Sequence, residues 1–290
     1  SYNSLAHRTT WLRSDFAKVI AVWSDSSGLG ATSTTAAMIA SALTASTGDG
    51  RQVLMMSTDP GPYDGVQILS PAIPSSQTMG NLLLMAMAGG LQTDTDFTSF
   101  VLNVGEGLYA LQPNSDLARM GDEAVKAYRQ IIDHASTLYD YIVIDVAGAQ
   151  DAMSSMVLSK ADVALICVSQ NMKHIKLLQQ DRIFTSFPAL RDKDCGVIIT
   201  RYSPLPYLDE KKVCKMLSCN DAFILTEDIE IHKAACSCML HDYISKILRS
   251  TDQQKRFWHR NPENSQTADE LRQIVQVLLP TKAEEVIPDA

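Results

Sequence analysis

The residues best placed to do chemistry lie between Ser24 and Ser33, read as Ser-Asp-Ser-Ser-Gly-Leu-Gly-Ala-Thr-Ser. A glycine-rich turn between an apolar run and a helix lets backbone N–H groups converge, and the helix dipole then favours an anion. A phosphate-binding P-loop needs a lysine and a hydroxyl at its end. Here Thr32 supplies the hydroxyl and Ala31 stands at the lysine position. Two other readings fit the glycines: a plain strand-to-helix turn, or a dinucleotide loop, since Gly28-x-Gly30-x-x-Ser33 half-matches GxGxxG. Against the second, several residues separate the strand end from Gly28, and Ser33 is polar where a small packing residue belongs. Two carboxylates add to the pattern. Asp145 closes the apolar run Tyr141 to Asp145 and is followed three residues later by Gly148, while Asp59 lies just past the apolar run Gln52 to Ser57. A lone carboxylate in such a place is ordinarily a turn former. A glycine loop and two carboxylates, all at strand ends, suggest a phosphate and a divalent cation.

Placing them there requires strands that alternate with helices. Apolar runs fit strands at 17–24, 52–57, 107–112, 141–145, 161–169, 196–201 and 222–225. Helical spacing is expected over 31–45, 78–89, 122–138, 172–184, 209–217, 229–248 with a break inside it, and 267–279. Strands that are apolar throughout imply a parallel sheet covered on both faces, with ligands at its carboxyl edge. The expected fold class is α/β, a mostly parallel sheet with helices on both faces. A single domain is expected over 17–280, with an N-terminal extension over 1–16 and a flexible tail over 281–290.

With these residues in place, the sequence resembles the MinD/ParA group of P-loop ATPases, whose deviant motif KGGxGK[ST] aligns with Ser26-Ser27-Gly28-Leu29-Gly30-Ala31-Thr32. The stretch from Thr78 to Gln112 is most like the TadZ/CpaE branch, which helps to place pilus machinery. The resemblance implies a P-loop NTPase architecture over roughly residues 17–248. It implies nucleotide contacts from Ser27, Gly28, Leu29, Gly30, Ala31, Thr32 and Ser33, with Thr200 and Arg201 near the adenine. It also implies magnesium held by Thr32 with Asp59 or Asp145, the two aspartates being the catalytic candidates if activity survives. ATP or ADP with magnesium is the implied ligand, bound weakly or not at all.

Both family lysines are missing, replaced by Ser26 and Ala31. Phosphoryl transfer depends on placed positive charge. The expected function is therefore a pseudo-ATPase acting as a scaffold or positioning factor, a homodimer with protein partners in a pilus, secretion or similar assembly. The alternatives are a slow true ATPase that localises cargo and a Rossmann-type NAD(P) oxidoreductase.

The rest of the sequence narrows the class. A net charge of −8 argues against general nucleic-acid binding. Residues 1–14 lack an apolar signal core and no run is long enough to span a bilayer, so a cytoplasmic location with indirect membrane contact is expected. The six cysteines lack zinc spacing and read as reduced thiols, mostly core filler, and the six histidines show no metal-binding spacing. The cationic, aromatic stretch from Lys255 to Arg260 reads as a solvated helix end, and the amphipathic helix over 267–279 as one packed on the sheet. The methionine-rich segment Met79 to Met87 reads as adaptable packing.

Overall fold

A computed structural model describes residues 17–25, 29–46, 50–58, 65–69, 78–112, 121–204, 207–253 and 262–279. The extension over 1–16, Ser26, Ser27, Gly28, Asp59, the stretch from Lys255 to Arg260 and the tail from 281 lie outside these residues.

The apolar runs become one eight-stranded sheet. Its strands are β1 (Lys18–Trp23), β2 (Val53–Ser57), β3 (Leu102–Gly105), β4 (Leu108–Ala110), β5 (Tyr141–Asp145), β6 (Val163–Ser169), β7 (Asp194–Tyr202) and β8 (Phe223–Thr226), in the order β3-β4-β2-β5-β1-β6-β7-β8. Every pair is parallel except β3 with β4. The sequence reading missed β3, because its residues are only half-buried and carry no apolar run. Alternate residues of the central strands feed opposite cores. Val19, Ala21 and Trp23 of β1 join one core with Ile142 and Ile144 of β5, while Ile20 and Val22 join the other with Val143. That two-sided burial is why these strands show no polar alternation.

One face carries α1 (Thr32–Ser46), α9 (Ile229–Cys236), α10 (Leu240–Gln253) and α11 (Pro262–Leu278). The other carries α2 (Met79–Met87), α3 (Asp94–Thr98), α4 (Gly121–Ala135), α5 (Ala152–Lys160), α6 (Met172–Leu177), α7 (Gln180–Ser186) and α8 (Glu210–Leu217). Nine consecutive residues of α1, Thr35 to Leu43, are buried between the sheet and the pair α10 and α11, and its alanines permit that close approach. The terminal helix packs as expected, with Ala268, Leu271, Ile274 and Leu278 wholly buried. It also clamps the β8 edge, where the Thr226 N–H and hydroxyl both donate to the Glu270 carboxylate at 2.9 and 2.6 Å. In the methionine-rich helix α2, Met79, Leu82 and Leu83 are buried and Leu84 and Met87 face out.

Two expected helices are divided. The helix over 172–184 breaks at Leu178 and Gln179, where Leu178 turns into the core. The expected break within 229–248 falls at Cys238, whose left-handed backbone (φ 54°) lets Met239 N–H reach Ala234 O at 2.9 Å and Cys238 N–H reach Ala235 O at 3.1 Å, closing α9. Helices α3 and α5 were missed. Both are short, and α3 is set by a capping box between Thr93 and Asp96 rather than by periodicity.

The dinucleotide-loop alternative fails on topology. A Rossmann sheet places its first two strands side by side. Here β5 lies between β1 and β2, and β1 pairs with β5 and β6.

Candidate functional site

Strand order reverses at β1, so its carboxyl end is the switch point where such sheets bind ligands. The turn leaving β1 is built there. Ser24 is 1% exposed, and its hydroxyl lies 2.8 Å from Nε2 of the fully buried His174. The backbone N–H of Ser169, at the end of β6, donates to His174 Nδ1 at 3.0 Å. Nδ1 must therefore be the acceptor, which places the imidazole proton on Nε2, donating to Ser24. Burial holds His174 below its ordinary pKa, with Asp25 pulling the other way, and the neutral ring fits this hydrogen bonding.

Gly30 rests directly on Ser24. A Cβ at Gly30 would fall 2.5 Å from the Ser24 hydroxyl and 2.6 Å from its Cβ, so no other residue fits. Thr200 Oγ1, at the end of β7, donates to Gly30 O at 3.0 Å and also lies 3.3 Å from Val168 O. Groups from the ends of β1, β6 and β7 and from α6 thus hold Ser24 and Gly30 in place. Leu29 is 39% exposed, Ala31 takes a left-handed backbone (φ 49°), and Thr32 and Ser33 open α1 half-buried.

The carboxylate side is equally tied. Asp145 is 2% exposed and pairs in register with Val22 on one side and Ser57 on the other. The Ser57 hydroxyl lies 3.5 Å from its carboxylate. Thr58 N–H donates to Asp145 O at 2.9 Å, and Ala147 N–H donates to Thr58 Oγ1 at 2.8 Å. The turns after β2 and β5 are therefore joined, and Asp59 is the next residue of the chain after Thr58. Buried hydroxyl and carboxylate oxygens are a donor set for a hard cation such as magnesium, which ordinarily takes few protein ligands and completes its shell with phosphate and water. Among the described residues no cluster of three or more His, Cys, Asp or Glu forms a metal cage.

Beside α1 the strand ends of β7 and β8 open a cleft of about 730 Å³, walled by Ala31, Thr34, Met38, Arg201, Tyr202 and Asp228 among others. Its size suits a small organic ligand. A bulge between Thr200 and Tyr202 puts Arg201 in a left-handed conformation (φ 49°) and leaves its side chain exposed at the rim. Of the expected base contacts, Arg201 and Thr200 both border the cleft, but the Thr200 hydroxyl is committed to Gly30. Sequence reading missed His174, the walls at Met38 and 225–229, and Gly65, where a Cβ would fall 2.7 Å from Ser33 O. None of these has a local motif; each is brought in by the sheet order.

A β1–loop–α1 unit at the switch point, with β5 between β1 and β2 and a carboxylate closing β5, defines a P-loop NTPase-type fold. No protein-family model matches the chain, and no curated protein matches it in sequence. Solved structures match it over nearly its whole length. A ParA family ATPase from Chlorobium tepidum TLS is 16% identical with a TM-score of 0.71, covering 89% of this chain and 98% of that one. MinD, the septum site-determining protein of Pyrococcus horikoshii OT3 complexed with Mg-ADP, is 15% identical with a TM-score of 0.64, covering 90% and 96%. A putative plasmid partition protein from Borrelia burgdorferi B31 bound to AMPPNP is 17% identical with a TM-score of 0.61, covering 90% and 99%. The chain therefore has the fold of the ParA and MinD ATPases.

Proposed function

We propose that this protein keeps the nucleotide cradle of its fold and has lost the phosphoryl-transfer chemistry, acting as a scaffold or positioning factor within a larger assembly. The observation that carries this reading is Ala31. It occupies the lysine position of the aligned motif, one residue before α1 begins, and Ser26 occupies the other lysine position. Removing one group that stabilises the transition state costs ~10²–10³ in rate, and two are gone here. Backbone donors around Gly30 need no side chain, so weak binding of ATP or ADP with magnesium is compatible with the cradle. Structural neighbours that hold AMPPNP and Mg-ADP motivate those ligands. In this proposal Ser27 to Ser33 would meet the phosphates, Arg201 the base or ribose, and Thr32 with Asp59 or Asp145 the metal.

The wider proposal is one domain over 17–280, a homodimer, protein partners in a pilus, secretion or similar localised assembly, and a cytoplasmic location with indirect membrane contact. Among the described residues no helix is long and apolar enough to cross a membrane. A slow ATPase is the rival, favoured by the preserved Asp145 at the end of β5. A turnover assay of purified protein with ATP and magnesium separates the two. The expected result is no phosphate release above that of the Asp59→Ala variant. Phosphate release above the level of Asp59→Ala, at whatever rate, would overturn the proposal in favour of the ATPase.

A further inference from the structure

Helix α8 ends in a geometry that joins two thiols. Ser218 sits in the left-handed region (φ 55°), where glycine is the usual occupant. Its N–H donates to Lys215 O at 3.3 Å, and the N–H of Cys219 donates back to Cys214 O at 3.0 Å. These are the two hydrogen bonds of a Schellman closure, with Cys214 in the last helical turn and Cys219 just past the end. The closure characteristically brings the side chains at these two positions into contact, ordinarily an apolar pair. Here both are cysteines. Cys214 is 5% exposed, whereas Cys219 is partly accessible to solvent.

We propose that Cys214 and Cys219 form a redox-active dithiol that closes to an intrachain disulfide on reaction with a hydroperoxide. Access assigns the order. Cys219 can be reached from solvent, and Cys214 waits behind it. The Cys219 thiolate attacks the outer oxygen of the hydroperoxide, the O–O bond breaks, and the departing alkoxide takes up a proton, leaving a sulfenic acid. The Cys214 sulfur then displaces hydroxide from that sulfur, and its proton leaves with the hydroxide as water. Two thiols and one hydroperoxide thus become one disulfide, one alcohol and one water.

The electrostatics agree with this order. Because each thiol faces the other, Cys214 is held protonated and Cys219 is drawn below the ordinary thiol value, with burial opposing the shift at Cys219. Buried Cys167 and Cys195 are instead pushed up to about 12, as inert core thiols are. The exposed Cys236, whose sulfur lies 3.7 Å from His232 Nε2, is the internal comparison.

The test uses the whole chain, reduced, desalted and treated with equimolar hydrogen peroxide, its remaining thiols then blocked with N-ethylmaleimide. Trypsin cuts after Lys215, between the two cysteines, so the disulfide appears in the mass spectrum as a cross-linked pair of peptides that dithiothreitol separates. The expected result is that cross-link as the main oxidation product. Its formation should slow several-fold when the wild-type chain is unfolded in urea, which shows that the fold sets the pairing even if a variant folds poorly. Cys214→Ser should lose the cross-link and accumulate Cys219 sulfenic acid, trapped by dimedone in several-fold higher yield than in the wild type. Full maleimide labelling of Cys214 and Cys219 after peroxide, or a cross-link through Cys236 in their place, would overturn the proposal.

Discussion

Ala31 holds a left-handed backbone (φ 49°) in which a Cβ crowds the neighbouring carbonyl, at a cost of about 1–2 kcal/mol relative to glycine. The hydrogen bond from Thr35 N–H to Ala31 O at 2.9 Å helps to fix it there. Ala31→Gly should therefore raise stability by about 1 kcal/mol, read as a higher midpoint in urea with an unchanged slope. The same residue shows what was legible beforehand. Its identity as alanine is a fact of the sequence, and the proposed loss of charge rests on it. Its backbone conformation follows from Gly30 lying against Ser24 and Thr200 holding the Gly30 carbonyl, contacts between positions 6 and 170 residues apart. The tautomer of His174 has the same origin: Ser169 N–H fixes it, and nothing near His174 in sequence announces that the ring lies beneath the loop.

At the scale of elements, the β3–β4 hairpin and α10 meet through a buried histidine. His241 is 2% exposed, and among the described residues neither ring nitrogen makes a hydrogen bond of good geometry, with the Gly105 backbone the nearest polar influence. Next to it, Glu106 at the hairpin turn is clamped by Arg249 of α10 through two 2.5 Å contacts, which hold that carboxylate below its usual pKa. Burial pushes the His241 pKa below 6.5, with Glu106 the first opposing influence. The unfolded chain takes up a proton as pH falls through 6.5 while the folded imidazole stays neutral, so stability present above 6.5 is lost as pH falls below it. His241→Leu should keep or raise stability at pH 7.5, because it removes unpartnered nitrogens, and should shrink the loss between pH 7.5 and 5.5. Urea melts at the two pH values check both halves. The hairpin itself was half legible: β4 shows its apolar run, and β3 is recruited by pairing at the sheet edge.

For the whole molecule, the question is whether the sheet and its two helical layers unfold together. Leu43 is fully buried on α1, which packs against the sheet, α10 and α11 at once. Leu43→Ala should cost about 2–5 kcal/mol and lower the midpoint of one transition rather than split it. Coincident fluorescence and circular-dichroism melts would establish that, and two separate transitions would contradict the one-domain proposal.

What the sequence determined by itself is the set of things that depend on residue type and short spacing. Two-sided apolar runs require a parallel sheet wrapped by helices; a glycine turn feeding a helix is what suggested an anion site, and Ser26 and Ala31, as residue types, are what the proposed loss of phosphoryl transfer rests on. Tertiary structure decided whatever depends on which distant strands become neighbours. Insertion of β5 between β1 and β2 removed the dinucleotide reading, and the ends of β6 and β7 supplied the groups that brace the loop. The ends of β7 and β8 walled the cleft beside α1. A strand's side chains report how deeply it is buried, but not which strand lies beside it, because the backbone hydrogen bonds that pair strands are the same for every residue type.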